Sequence, residues 1–96
     1  MREKDFSIPV HPGAVLQDIL DASEVTQSDL ARHLGMPHSK VNEICRGKRG
    51  VSAEMAMMLG RAFGQSPGFW LNLQKSWELS QVDASRFKRI QRIVVR

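Results

Sequence analysis

Side chains that could hydrogen-bond to a polyanion are concentrated in one short stretch of this 96-residue chain. An amide such as that of Asn42 can form two hydrogen bonds with adenine, and Ser39 and His38 could bond to base edges. Lysine and arginine side chains contact phosphate oxygens, which gives affinity without selecting a sequence. The complete set of candidate contacts is Thr26, Gln27, Pro37, His38, Ser39, Lys40, Asn42, Glu43, Arg46, Lys48 and Arg49. These residue types suit contacts with a DNA duplex, provided that the elements carrying them have the geometry of a DNA-binding unit.

Glu43 is the acidic member of this set, and two roles are open to it. It either accepts a hydrogen bond from a cytosine amino group or pairs with Arg46 or Lys40, and we expect the pairing. Thr26 and Gln27 suit contacts with the DNA backbone through their hydroxyl, amide or main-chain groups.

The composition is that of one small globular domain without an internal disulfide. Hydrophobic residues make up 42% and charged residues 25% of the chain, and Cys45 is its single cysteine. The formal net charge is +4, and the basic side chains cluster in residues 36–50 and 83–96. Such clusters indicate a polyanionic partner, with a merely solvated surface as the alternative. Because no apolar run reaches bilayer length and no signal peptide is recognisable, we expect a cytoplasmic protein that does not enter a membrane.

No group of residues has the spacing of a catalytic or metal site. His11, His33 and His38 fall on separate segments, with no cysteine or carboxylate at ligand spacing. Cys45 has no base at a recognisable offset, and the chain lacks a paired-carboxylate site, a catalytic triad and a phosphate-binding loop. We therefore expect a protein that is not an enzyme and uses no metal or cofactor.

Helical periodicity and capping residues predict the elements that hold these side chains. Thr26 and Asp29 have the spacing of a capping box, and Gly35 is a typical helix end. Ser66-Pro67 is a second strong helix start. Helices are expected over residues 13–22, 27–34, 37–46, 53–63 and 67–79. The predicted fold class is all-α.

The chain is expected to divide into an N-terminal arm, a five-helix domain and a basic C-terminal extension, over residues 1–11, 12–80 and 81–96. A further helix is expected after Asp83, with Phe87, Ile90 and Val94 on one face. Residues 93–95 are also typical of a strand.

The second and third predicted helices are separated by a turn of only about three residues. Small Ala31 lets the two helices cross closely, and Gly35 permits the sharp turn. The apolar positions that would pack them together are Leu30, Ala31, Leu34, Met36, Val41 and Ile44. This pattern is typical of a helix-turn-helix unit, whose second helix enters the major groove, with an ordinary helical hairpin as the alternative.

An apolar band on the fifth helix is too broad for a core of this size to bury easily. It consists of Phe69, Trp70, Leu73 and Trp77. We expect part of it to be core and part to be a self-association or partner surface, since aromatic residues are enriched at interfaces. Phe87, Ile90 and Val94 either extend that surface or dock on their own domain.

Several motifs between residues 9 and 80 are shared with one family of small regulators. They are His11-Pro12-Gly13, Thr26-Gln27-Ser28-Asp29-Leu30-Ala31, Val41-Asn42-Glu43-Ile44, Gly47-Lys48-Arg49-Gly50-Val51-Ser52 and Ser66-Pro67-Gly68-Phe69-Trp70-Leu71-Asn72-Leu73-Gln74. By these motifs the chain resembles the HigA-type antitoxins of the Xre (Cro/C1-like) helix-turn-helix repressors. The basic tail after Asp83 departs from the family pattern.

The resemblance implies a homodimer, a palindromic operator over its own promoter, and a HigB-like toxin of the RelE-like, mRNA-cleaving class as partner. A dimer would place two recognition helices about 34 Å apart, one turn of DNA. We therefore expect an antitoxin and transcriptional autorepressor. The alternatives are a plain Xre-type repressor without a toxin partner and a protein-interaction module with vestigial DNA binding.

Overall fold

Five α-helices and one 3-10 helix make up the regular structure of residues 9–94, the part of the chain that the computed structural model describes. The helices are α1 (Pro12–Ser23), α2 (Gln27–Leu34), α3 (His38–Cys45), α4 (Ala53–Phe63) and α5 (Pro67–Ser80), followed by the 3-10 helix Ala84–Phe87. Since these residues contain no strand, the all-α fold class is confirmed.

The start of α2 follows the predicted capping chemistry. Thr26 Oγ1 accepts a hydrogen bond from the Asp29 N–H at 3.0 Å, and the Asp29 carboxylate accepts one from the Thr26 N–H at 3.2 Å. Both bonds satisfy N–H groups that a helix start leaves without partners. The helix ends at Gly35, whose φ of 68° is in the left-handed region that glycine adopts most easily.

Both ends of α1, both ends of α3 and the end of α5 each differ by one residue from the predicted bounds. His11 Nδ1 accepts from the Gly13 N–H at 2.9 Å, so His11 caps α1 and the helix begins at Pro12. Pro37 has extended backbone angles and stands before α3 as its N-cap, whereas the sequence suggested that it would open the helix. The third helix also ends at Cys45, one residue earlier than expected.

The core lies where α1 packs against α3 and α5, α2 against α3, and α4 against α5. Its buried hydrophobic residues are Leu16, Leu20, Leu30, Ala31, Val41, Ile44, Val51, Met55, Ala56, Leu59 and Trp70. In the apolar band that was expected to be part core and part partner surface, Trp70 is core, so including it in the partner surface is wrong. Its side chain is 0% exposed, and its indole N–H donates to Gln65 Oε1 at 2.7 Å. Its ring is therefore buried, and its polar atom hydrogen-bonded, within the domain.

The C-terminal extension lacks the predicted amphipathic helix. Only Ala84–Phe87 forms a helical turn, and residues 91–94 have no regular structure. Ile90 is 74% and Val94 85% exposed, so no apolar face docks on the domain. A short helix without such packing is marginal in water, which explains the difference. Residues 93 and 94 form no strand either, whereas residues 1–8 of the predicted arm, together with 95 and 96, lie outside the described residues.

Candidate nucleic-acid interface

The unit formed by α2, its turn and α3 presents one face of α3 outward. Ala31, Val41 and Ile44 are buried and pack the two helices together. Across the turn, the Met36 N–H donates to the Ala31 carbonyl at 2.9 Å, which fixes the path of the chain after Gly35. The predicted helix-turn-helix arrangement is confirmed, and its second helix keeps the opposite face free.

The candidate contacts lie on and beside that free face. His38, Ser39 and Arg46 are exposed on or next to α3, and Lys40 and Asn42 are half-buried at its edge. Pro37 is exposed immediately before the helix. An exposed N-terminal half with short polar side chains suits insertion into a major groove, where that half of a recognition helix contacts base edges.

A chain of three side-chain amides links α1, α2 and α3. Asn42 Nδ2 donates to Gln27 Oε1 at 3.0 Å, and Gln27 Nε2 donates to Gln17 Oε1 at 2.8 Å. An asparagine amide carries two N–H groups, so Asn42 retains one donor and its oxygen for another partner. Those are the two atoms that a bidentate contact with adenine requires. Gln17 was absent from the predicted set, and the only signal for it was a polar side chain beside the apolar face of α1.

Glu43 has a different ionic partner from the one expected. Its Oε1 accepts from Arg49 Nε at 3.0 Å and lies 2.8 Å from the terminal guanidinium nitrogen, Nη2. The prediction of pairing with Arg46 or Lys40 is therefore wrong. The chain turns back after α3, because the main-chain N–H groups of Lys48 and Arg49 both donate to the Glu43 carbonyl, and this brings Arg49 beside Glu43.

Residues 47–50, the basic loop, follow α3 directly. Gly47 has a φ of 76°, and Lys48 and Arg49 are exposed beyond it. Thr26 and Gln27 lie at the start of α2, where Thr26 is exposed and Gln27 half-buried in the amide chain. The basic loop, Thr26 and Arg46 thus offer hydroxyl, amide and cationic groups beside the free face of α3, the types that contact DNA phosphates.

His11 connects three parts of the domain. Besides capping α1, its ring makes an edge contact with Trp77 of α5 at a centroid distance of 4.8 Å. It also lies against Gly47, where an added methyl group would come within 3.7 Å of the ring. Partial burial lowers the pKa of His11, since a low-polarity environment disfavours the imidazolium. His11 is therefore a structural contact between the helix start, the basic loop and α5.

Part of the predicted apolar surface is solvent-exposed. Phe69 is exposed and Leu73 and Trp77 are half-buried on α5, while Phe87, Ile90 and Val94 of the extension are all exposed. Aromatic side chains are enriched at protein interfaces. These six side chains remain the predicted self-association or partner surface, without Trp70.

Nothing in residues 9–94 groups three or more potential metal-ligating side chains. Cys45 is half-buried, and burial raises the pKa of its thiol, which disfavours the nucleophilic thiolate. None of the helices in this part of the chain combines the length and apolar character that a membrane crossing requires.

Comparison with known proteins places this architecture in an established class. Residues 13–68 match the family described as a helix-turn-helix domain. Virulence-associated protein A' of Dichelobacter nodosus is 43% identical over 75 residues, which cover 77% of this chain and 65% of that relative. The uncharacterized HTH-type transcriptional regulator YddM of Escherichia coli K12 is 36% identical over 83 residues, covering 82% and 88%.

A solved structure of the Pseudomonas aeruginosa antitoxin HigA with the higBA promoter has a TM-score of 0.82 to this fold and 38% identity. The match covers 91% of this chain and 100% of the HigA chain. The class defined by these matches is the helix-turn-helix regulators, which are not enzymes. The chain belongs to the Xre-type helix-turn-helix family, in the group of the HigA-type antitoxins.

Proposed function

We propose that this chain is an antitoxin and autorepressor that acts in the cytoplasm. As a homodimer it binds a palindromic operator in the promoter of its own operon, and it neutralises a HigB-like toxin of the RelE-like, mRNA-cleaving class. The observation that carries the proposal is the free face of α3, which is rigidly packed behind and polar in front. The similar HigA antitoxin of Pseudomonas aeruginosa was solved with the higBA promoter, which supports DNA binding by a chain of this fold.

In the proposed complex, α3 lies in the major groove and its first half contacts bases. Ser39, His38 and Asn42 contact base edges, and the remaining donor and oxygen of the Asn42 amide match adenine. The phosphate contacts come from Thr26 and Gln27 at the start of α2, and from the cationic side chains Lys40, Arg46, Lys48 and Arg49. Pro37 sets the entry of the chain into α3, and Glu43 pairs with Arg49.

The dependence of binding on salt tests the phosphate contacts. Replacing Arg46, Lys48 and Arg49 by alanine should flatten the slope of log K against log salt by about 0.9 unit per lost contact. The matched control replaces Arg86, Lys88 and Arg89 of the extension, which removes the same charge from residues outside the candidate interface. An unchanged slope in the first variant, or an equal change in both, would remove α3 and the basic loop from the DNA-binding site.

A separate measurement tests base recognition. Asn42→Ala should weaken preference at one base pair of the operator by about 1–3 kcal/mol and leave non-specific binding nearly unchanged. Equal weakening on all duplexes would show that Asn42 does not contact a base. The duplexes can be selected by the wild-type protein from a random pool, so that no operator needs to be known beforehand.

The apolar residues of α5 and the extension are the proposed surfaces for the second copy and the toxin. The set is Phe69, Leu73, Trp77, Phe87, Ile90 and Val94. Sedimentation of the Phe69→Ser and Ile90→Ser variants should show a weakened dimer or a lost toxin complex. A dimer and a toxin complex that are unaffected by either change would contradict this assignment.

The neighbouring reading frame distinguishes the antitoxin from a plain repressor. A small basic RelE-like product that copurifies with this chain supports the proposal. A chain that binds DNA but has no such partner is a plain Xre-type repressor, and one that binds the partner but no duplex is an interaction module.

A further inference from the structure

Gln74 is a buried polar residue that joins α5 to the end of the basic loop. Its side chain is 7% exposed, and its Oε1 accepts a hydrogen bond from the Val51 N–H at 2.7 Å. The other half of the amide is also used, because Nε2 donates to Glu78 Oε2 at 2.8 Å. A buried amide with both ends bonded has one orientation.

The basic loop packs directly on this amide. A methyl group added to Gly50 would lie 2.8 Å from Gln74 Nε2 and 3.1 Å from its Cδ, so an alanine at position 50 would displace the Gln74 amide. Val51 itself is buried and precedes α4, so its N–H has no partner within a helix. Without the Gln74 oxygen, this N–H would be a buried donor without an acceptor.

The hydrogen bond at Val51 holds the second end of the main-chain segment that carries Lys48 and Arg49. On the side of α3, the N–H groups of Lys48 and Arg49 donate to the Glu43 carbonyl at 2.8 and 3.2 Å. On the side of α4, the Val51 N–H donates to Gln74. The main chain that carries Lys48 and Arg49 is therefore held from both directions, although their side chains are exposed.

We propose that Gln74 is a positioning residue for DNA binding, which holds the basic loop so that Lys48 and Arg49 reach the phosphates together. The inference rests on the proposed DNA-binding function and adds a residue of α5 that does not itself contact the duplex. A loop that is already ordered loses less conformational entropy on binding than one that must be ordered at that moment. The phosphate contacts therefore depend on a hydrogen bond made from the helix that also carries the aromatic residues.

The first test measures binding to selected duplexes at several salt concentrations. Gln74→Leu keeps the apolar body of the side chain and removes both hydrogen bonds. We expect its salt slope to flatten by about one to two units, as in the Lys48→Ala/Arg49→Ala double variant. Circular dichroism at the same temperature confirms that both proteins are folded. A Gln74→Leu slope equal to that of the wild type would overturn the inference.

An exchange of two residues provides the rescue. In Gln74→Glu/Glu78→Gln, one carboxylate oxygen at position 74 can accept from the Val51 N–H while the new amide at 78 donates to the other. The net charge of the chain is unchanged, and we expect the wild-type slope to return. Gln74→Met is unbranched like glutamine and also lacks the acceptor for the Val51 N–H, so it replaces Gln74→Leu if the leucine variant does not fold. A slope that stays flat in the exchanged protein counts against the proposal.

A double-mutant cycle separates positioning from general structural support. If Gln74 acts through Lys48 and Arg49, Gln74→Leu should have no further effect on affinity in a protein that already has alanine at both positions. An undiminished effect in that background would mean that Gln74 stabilises the domain without positioning the loop. If the wild-type protein binds no duplex at all, the proposed function fails, and that result is distinct from each of these.

Discussion

Gly13 of α1 lies directly against the carbonyl group of Ile44 in α3. A methyl group built on Gly13 would overlap the Ile44 oxygen and lie 2.7 Å from the carbonyl carbon. The first turn of α1 and the last turn of α3 therefore meet backbone to backbone, and neither has a flexible side chain that could move aside.

This contact predicts a large difference between two similar substitutions. Gly13→Ala should lower the free energy of unfolding by about 1–3 kcal/mol, because the helices must separate to admit the methyl group. Gly68→Ala is the matched control, since Gly68 also follows a helix-opening proline and its nearest neighbour would be 3.7 Å away. It should be neutral or stabilising by up to about 1 kcal/mol. Urea unfolding measures both, and equal effects would contradict the packing described.

His11 predicts a loss of stability in mild acid. Its pKa is lowered in the folded protein by burial, so the unfolded chain takes up a proton first. This contribution to stability is complete above the ordinary pKa of 6.5 and falls as the pH drops below that value. Protonation also removes the Nδ1 lone pair that accepts from the Gly13 N–H.

The variant His11→Asn isolates this effect, because asparagine caps helices well and does not titrate in this range. The other two histidines are unchanged, so the difference between the two proteins belongs to position 11. We expect the wild type to lose more unfolding free energy than the variant between about pH 7.5 and pH 5. Parallel curves for the two proteins would be the contrary result.

The pair between Glu43 and Arg49 predicts that removing the acid tightens DNA binding. Glu43→Gln deletes a negative charge beside the duplex and frees Arg49, and we expect about fivefold higher affinity at low salt, from about 1 kcal/mol of Coulomb energy. Glu43→Asp keeps the negative charge but is too short to hold Arg49 in the same way. It therefore separates the effect of the lost charge from the effect of releasing Arg49. If Glu43 instead bonds to a cytosine, Glu43→Gln will weaken binding at one base pair of the operator only.

The capping box of α2 predicts a second acid-sensitive contribution. The main-chain and hydroxyl groups of Thr26 lower the pKa of Asp29, because they donate to its charged form. Stability from this bond is present above the ordinary value of 3.8 and is lost as the pH falls through the lowered pKa. Asp29→Ala should therefore flatten the acid limb of the stability curve, measured by urea unfolding between about pH 2 and pH 5.

Local chemistry explains which elements the sequence predicts well. The bounds of α2 and the start of α5 follow from side-chain caps and from Pro67, and these signals involve neighbours within a few residues. The expected helix in the extension does not form. Helical spacing of apolar residues predicts an apolar face, but it does not show whether another part of the chain packs against that face. Phe87 and Ile90 find no such surface in the described part of the chain.

Sequence patterns indicate which side chains lie on α3 but not which residues they bond to. Asn42 and the basic residues were expected on one face, but the bonds from Asn42 to Gln27, from Glu43 to Arg49 and from Val51 to Gln74 were not. These bonds join residues 15, 6 and 23 positions apart, and they depend on how the helices cross. No single-sequence pattern encodes that geometry. The same limit explains why the band on α5 did not reveal that Trp70 faces inward.

The amide chain through Gln27 has a direction: in each hydrogen bond the donor lies on the side of α3 and the acceptor on the side of α1. Turning the Asn42 amide by half a rotation would set its oxygen against the oxygen of Gln27, so the reversed arrangement is disfavoured. The order in which α3 offers a donor and an acceptor is thus set before any duplex arrives. In the proposed complex, a base pair with the opposite order would place donor against donor and acceptor against acceptor, so it would be disfavoured without any rearrangement of the protein.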